Sequence, residues 1–205
     1  MTGPMTETLA YLAENQKISS AATSVNQLPA VLRLIDKLYG KGHHGAQFWV
    51  DVDVCLDYGG GKYDKLTDAL AKRRIWNLVW DPFNRSEDHN ALVLKLCAAR
   101  RADFGICSNV LNVIREPKIR KDVLEDISIG VEKDGMIFIT VHEGDKSSKG
   151  KKTSKGWQSN RPAKNYMREI RRVFPNSFGC RWGNKALIVC KNWPEKIPGW
   201  PNIGD

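Results

Sequence analysis

A chain of 205 residues with 41% hydrophobic and 27% charged residues is long enough to bury one substantial core, and no mid-chain linker divides it, so one domain is the default. No apolar run approaches the roughly 18 residues of a membrane-spanning helix, and Met1 to Gln16 lacks an apolar signal segment, which points to a soluble cytoplasmic protein. The formal net charge of +9 is not diffuse: ten basic residues lie between Lys146 and Arg172 against Glu169 alone, so that one segment carries the whole excess.

Residues 1–20 are polar and read as a loose lead-in, with a short helix around Glu7 to Glu14, ahead of a domain spanning 21–192. Ala22 to Asn26 supplies capping-type side chains. From Leu28 the apolar positions 28, 31, 32, 35, 38 and 39 recur at helical spacing, with Pro29 in the first turn and Gly40 past the end, which predicts an amphipathic helix covering a sheet face. Lys41 to Ala46 then reads as a loop. Its adjacent His43 and His44 diverge and lack a third ligand at suitable spacing, so no metal site is expected.

Val52 to Leu56 is a short β-branched run that stops at Gly59-Gly60-Gly61, which predicts a central strand and a tight turn, with a helix over Tyr63 to Arg74. Ile75 to Trp80 is a second strand ending at Asp81-Pro82-Phe83-Asn84. Ser86 caps a helix reaching about Arg101, Phe104 to Cys107 is a third strand, and Ile119, Val123 and Ile127 mark a helix closed by Gly130. Gly135 opens a fourth strand, Met136 to Val141. The basic segment 146–161 reads as a flexible loop. Tyr166, Met167, Ile170, Val173 and Phe174 give a helical face, and Phe178 to Trp182 and Ala186 to Cys190 flank Gly183-Asn184 as a hairpin. The tail 193–205 carries three prolines and two tryptophans. Five cysteines without a Cys-x-x-Cys pair support neither a disulfide framework nor a zinc site; three lie inside apolar runs as small buried hydrophobes.

The junction of the first strand with its glycines suits a nucleotide-like ligand, because glycines admit close approach to the backbone and a helix start offers free N–H groups. Asp81 stands about 20 residues beyond the glycines at the next strand tip, where dinucleotide folds place an acid on a ribose diol. A Gly-x-Gly-x-x-Gly fingerprint would need a third glycine at Tyr63 or Asp64. Together these residues resemble the cofactor half of a class I S-adenosylmethionine-dependent methyltransferase. The resemblance implies an α/β, Rossmann-like, mostly parallel sheet with a C-terminal antiparallel hairpin. It also implies cofactor contacts from Asp57, Tyr58, Gly59, Gly60, Gly61, Asp64, Asp81, Pro82, Phe83, Ser108, Asn109 and Val110. With Ser108 to Ile114 and Val141 to Asp145 included, the set looks like bacterial and bacteriophage methyltransferase-like proteins related to the one associated with DNA phosphorothioation. The similarity spans most of residues 20 to 191. A further short strand that most class I enzymes carry before the third strand is not found here.

Methyl transfer from a sulfonium needs an aligned acceptor and, for some acceptors, a base. Asn109 is the first choice for polarising the acceptor, and Glu143 or Asp145 could serve as base. Asn109-Val110-Leu111-Asn112 stands where DNA amino-methyltransferases carry Asp/Asn-Pro-Pro-Tyr/Phe, which argues against their ordinary mechanism. The basic segment reads as a lid on a polyanion: Lys151, Lys152, Lys155 and Arg161 gripping phosphates, Trp157 stacking on a base, Gln158 or Asn160 reading its edge. DNA, RNA or a nucleotide is therefore the leading acceptor. A metabolite or protein acceptor, and a binding protein without turnover, remain open at this level, as does the oligomeric state.

Overall fold

Apolar, β-branched runs without polar alternation form the middle of the molecule, as parallel strands covered on both faces must. The computed structural model describes residues 31–39, 53–153, 156–182 and 185–190. In chain order the strands are β1 (Asp53–Tyr58), β2 (Ile75–Trp80), β3 (Ala102–Ser108), β4 (Val131–Thr140), β5 (Lys151–Thr153), β6 (Gly156–Gln158), β7 (Phe178–Trp182) and β8 (Lys185–Cys190). The helices are α1 (Val31–Tyr39), α2 (Lys65–Ala71), α3 (Glu87–Ala99), α4 (Pro117–Gly130) and α5 (Met167–Ile170), with 3-10 turns at Leu111–Val113 and Ala163–Tyr166.

Six strands form one sheet in the order β2-β1-β3-β4-β8-β7; β1 to β4 are parallel, while β8 and β7 return antiparallel. Alternation along β1 splits the core in two. Val54, Leu56 and Tyr58 pack with Val93, Ile119, Val123 and Ile127 beneath α3 and α4, whereas Cys55 joins Val31, Ile35, Leu66 and Leu70 beneath α1 and α2. The result is three layers, helices on both faces of one sheet. The second core includes Phe104 edge-on to Phe138 at 6.3 Å, an aromatic geometry that adds to burial.

The elements depart from the sequence expectations at informative places. β4 begins at Val131, not Met136, and its pairing with β3 shifts register between Ala102 and Phe104. The helix expected over Tyr63 to Arg74 shrinks to Lys65–Ala71 because Asp64 sits outside helical geometry and Arg74 turns left-handed at φ 60°. The helix expected around Tyr166 to Phe174 is one 3-10 turn followed by four α-helical residues. The segment 146–161, expected as a flexible loop, contains the antiparallel hairpin β5–β6. The missing short strand is also missing from the described sheet: α3 leads directly to β3, and β2 is the edge. His89 of α3 bonds the edge carbonyl of Val79 through Nε2 at 2.8 Å.

The lead-in 1–20, the capping segment 22–26, the start of the first helix at Leu28 to Ala30, the histidine loop, Val52, Lys155, the turn at 183–184 and the tail 193–205 lie outside the described residues. No described helix is long and apolar enough to cross a membrane.

Candidate active site

Because β2 and β3 lie on opposite sides of β1, the chain crosses over β1 between them, and a crevice opens at the carboxyl ends of β1 and β3. The predicted glycine turn stands on one side of it. Gly59 and Gly61 adopt φ of +75° and +78°, which residues with a Cβ rarely enter. A Cβ on Gly59 would lie 2.5 Å from Cγ2 of Val110, and one on Gly60 would land inside the Asp57 carboxylate. The turn thus touches the loop after β3 above and a buried acid below.

The peptide of Gly61 is held from both sides. Its N–H donates to Asp81 Oδ2 at 2.8 Å, and its carbonyl accepts from Arg85 Nε at 2.7 Å. Arg85 also bonds Asp64 at 2.7 Å, so the start of α2 is pulled to the same guanidinium. Asp81 is 4% exposed, and its Oδ1 accepts from the Phe83 and Asn84 amides and from Asn84 Nδ2. Asn90 of α3 brackets the Asp81 backbone, accepting from its N–H and donating to its carbonyl. The acid expected to grip a sugar therefore serves first as the latch between the glycine turn and the β2 tip. The sequence singles out neither Arg85 nor Asn90 as a site residue; neither lies in a motif, and only their long-range partners reveal them.

Asp57 lies beneath this turn at 3% exposure. Burial pushes its carboxyl up to about 7, the Asn77 amide opposes the shift, the Asp81 charge adds to it, and Arg85 opposes it. Tyr58 departs from its expected role. Its ring is fully buried against Trp80 at 4.4 Å and its hydroxyl donates to Asp126 at 3.2 Å, so its side chain belongs to the core.

Across the crevice, Ser108 ends β3 with a buried hydroxyl that has no hydrogen-bond partner among the described residues. Asn109 follows in the left-handed region at φ 60°, with an exposed side chain and its N–H on the Thr140 carbonyl at 2.9 Å. Asparagine is among the side chains that tolerate this conformation, and such residues cluster at functional sites. Asn112, 1% exposed, stitches three elements: its Oδ1 accepts from His142 N, its carbonyl from Ser159 N, and its Nδ2 donates to Gln158 Oε1.

The two candidate bases are engaged elsewhere. Glu143 accepts from Ala163 N at 2.8 Å and pairs with Lys146 at 3.6 Å, capping the 3-10 turn. Asp145 accepts from Ser147, and that hydrogen bond holds its exposed carboxyl below the usual range.

The expected base- and phosphate-reading residues divide in two. Lys151 and Lys152 are exposed, as a phosphate grip requires. Gln158 donates to the carbonyls of His142 and Ser159. Asn160 is buried against Gly144 and accepts from Ser148 N through its carbonyl. Arg161 lies over Tyr166 and pairs with Glu169 at 2.9 Å. Gln158 and Arg161 through their side chains, and Asn160 through its backbone carbonyl, are thus tied into the protein itself. Trp157 packs against Gly150 on one side and under the Arg115 guanidinium, 5.1 Å from its ring centre, on another. A shallow cavity of about 150 Å³, lined by Arg101, Lys133, Gly135 and Phe174 among others, lies at the opposite end of the sheet and takes no part in the site.

No protein-family model matches the chain, and no curated protein matches it significantly in sequence. Solved structures do match in shape. The 1,6-didemethyltoxoflavin-N1-methyltransferase of Burkholderia thailandensis, solved with 1,6-didemethyltoxoflavin and S-adenosylhomocysteine, superposes over 93% of this chain and 91% of its own at TM-score 0.56 and 13% identity. The glycopeptide N-methyltransferase MtfA does so over 82% of this chain and 96% of its own, at TM-score 0.50 and 11% identity. An O-methyltransferase family protein of Burkholderia thailandensis matches over 78% and 57%, at TM-score 0.50 and 13% identity. Strand order, switch-point crevice and these superpositions agree: the chain has the Rossmann-like fold of the class I S-adenosylmethionine-dependent methyltransferases.

Proposed function

We propose that this protein is a cytoplasmic S-adenosylmethionine-dependent methyltransferase whose acceptor is a nucleic acid or a nucleotide. The observation that carries the reading is the convergence, at the switch point of this fold, of a clamped glycine turn with a partnerless buried hydroxyl, Ser108, and a left-handed Asn109. The buried orphan hydroxyl and the close backbone approach fit an adenosyl amino acid, which when bound supplies an electrophilic methyl group on sulfur. The backbone of residues 59–61 and the Ser108 hydroxyl would hold its amino-acid end. Asp81 retains one lone-pair direction on Oδ2 for a sugar hydroxyl, since Gly61 uses only one. Asn109 would orient the acceptor by hydrogen bonding, and positioning supplies most of the rate.

The acceptor class is supported by the placement of the excess charge. The hairpin β5–β6, which carries the exposed Lys151 and Lys152, is tied through Gln158 and Ser159 to the turn after Asn109, and this tie supports a cationic surface at the crevice.

The test is calorimetry with S-adenosylhomocysteine, expected to give micromolar or tighter binding, about −8 kcal/mol or better. It is joined by labelled-methyl transfer to DNA, RNA, nucleotides and cell extract in parallel. Label confined to proteins or metabolites would replace the acceptor class, and absence of binding would end the reading. A second reading, binding without turnover, draws on the engagement of both Glu143 and Asp145. It predicts tight binding with no label transferred to any acceptor.

A further inference from the structure

We infer that Arg115, whose guanidinium lies over Trp157 beside Lys152, is a platform for an unpaired base and its neighbouring phosphate in single-stranded nucleic acid. The inference rests on the acceptor class proposed above and not on the cofactor.

The hairpin register decides which side chains share a face. Lys152 pairs with Trp157 and Lys151 with Gln158, and directly opposed residues of an antiparallel pair project to the same side. The Gln158 face is docked on Asn112 and on the His142 carbonyl. The other face therefore carries Trp157 and Lys152 together. The indole is fixed on that face, because Gly150 packs so closely on the ring that a Cβ there would overlap it.

Arg115 completes the surface. It is exposed, six residues beyond Asn109, and its guanidinium lies over the indole at 5.1 Å from the ring centre. Arg85, Arg120 and Arg161 around the same crevice instead spend their charge on Asp64 and Glu169. A guanidinium resting on an aromatic ring keeps its plane ordered while its outer face and N–H edge stay available, so it can stack on a base and bond a phosphate at once. Trp157, which the sequence reading gave to the base, is thus the support, and Arg115 is the contact. A duplex hides its base faces in the stack, so this geometry selects unpaired strands.

The experiment is fluorescence anisotropy of the full-length protein with a labelled 12-nucleotide mixed-sequence DNA, alone or annealed to its complement, across a salt series. Wild type is expected to bind the single strand at least about tenfold more tightly than the duplex. Base stacking on a platform is worth enough that Arg115→Ala should weaken single-strand binding about tenfold or more. Arg115→Lys, which keeps the charge and loses the plane, should recover little of it. Lys152→Ala should lower the salt slope by about one without altering strand preference, and Lys95→Ala on α3 should change nothing. Arg115→Lys binding like wild type, or equal affinity for duplex and single strand, overturns the platform. Wild type that binds S-adenosylhomocysteine but neither strand overturns both the platform and the acceptor class and leaves the methyltransferase reading standing. Single-strand binding through Arg115 without cofactor binding does the reverse.

Discussion

The two sides of the crevice are built on opposite economies of charge. On the glycine side, Asp57 and Asp81 are buried, and the charged and amide side chains around the turn are engaged with it or with one another: Asp81 on Gly61, Arg85 on Gly61 and Asp64, Asn90 on the Asp81 backbone. On the hairpin side the scaffold is equally tied, through Asn112, Gln158 and the Arg120–Glu169–Arg161 cluster, but it raises exposed cations, Arg115, Lys151 and Lys152, toward solvent. A rigid, self-satisfied corner suits a ligand of fixed shape. A rigid scaffold holding unspent charge suits a larger polyanion, whose phosphates need no single geometry.

The largest break in this comparison should come from Gly59→Val. The left-handed φ costs about 1–2 kcal/mol for a residue with a Cβ, and overlap with Val110 adds roughly 1–3 more. The expected outcome is a loss of several kcal/mol in urea unfolding, and S-adenosylhomocysteine binding weakened at least about 100-fold in whatever protein folds. Oligonucleotide binding by that folded fraction should persist, since the hairpin is anchored on Asn112 and Glu169. Equal loss of both activities would show that the two corners are one unit.

How much of this was legible in the sequence follows the range of the interactions involved. The β1 run, the glycine turn and the Ile75–Trp80 strand are local patterns, and they appear where residue spacing puts them. The cap on α3 also appears, with Ser86 Oγ accepting from His89 N at 3.2 Å. The hairpin β5–β6 was hidden because Lys-rich, Gly-rich composition carries a disorder signal. What orders it is non-local: Asn112, 46 residues before Gln158, and Arg120, 49 before Glu169. Glu143 is engaged by Ala163, 20 residues on, while Asp145 and Arg161 find Ser147 and Glu169 nearby in sequence, where no motif marks them as partners. Charge location was visible along the chain; which charges are already spent was not.

The next largest effect belongs to Asp57. Its carboxyl rises from 3.8 to about 7 in the folded protein, so the folded state holds a proton that the unfolded chain has released. Stability from this residue is therefore full below about pH 4 and lost as pH rises to about 7, where the cost approaches roughly 4 kcal/mol. Asp57→Asn has no proton to lose. Urea unfolding between pH 4 and 8 should show this downward slope in wild type and a flatter curve in the variant, which gains on wild type as pH rises. Parallel curves would mean that Asp57 is ionised throughout and that the glycine corner tolerates two buried charges.

The smallest effect belongs to Glu169, whose sign is opposite. Burial works against its ionisation, but hydrogen bonds and charge from Arg120 and Arg161 outweigh that and hold the carboxyl below its usual 4.5. Its contribution is present above that value and lost as pH falls through the lower folded value. Arg120 is 5% exposed while Glu169 keeps 21%, so removing the anion strands a buried guanidinium whose partner site water can partly refill. Glu169→Gln should cost about 2 kcal/mol near neutral pH and shrink toward nothing in acid. Arg161 would be released at the same time, adding one free cation beside the hairpin. Oligonucleotide binding should accordingly hold or tighten slightly even as stability falls, whereas weakened binding would mean that the clamp on Arg161 aligns the platform itself.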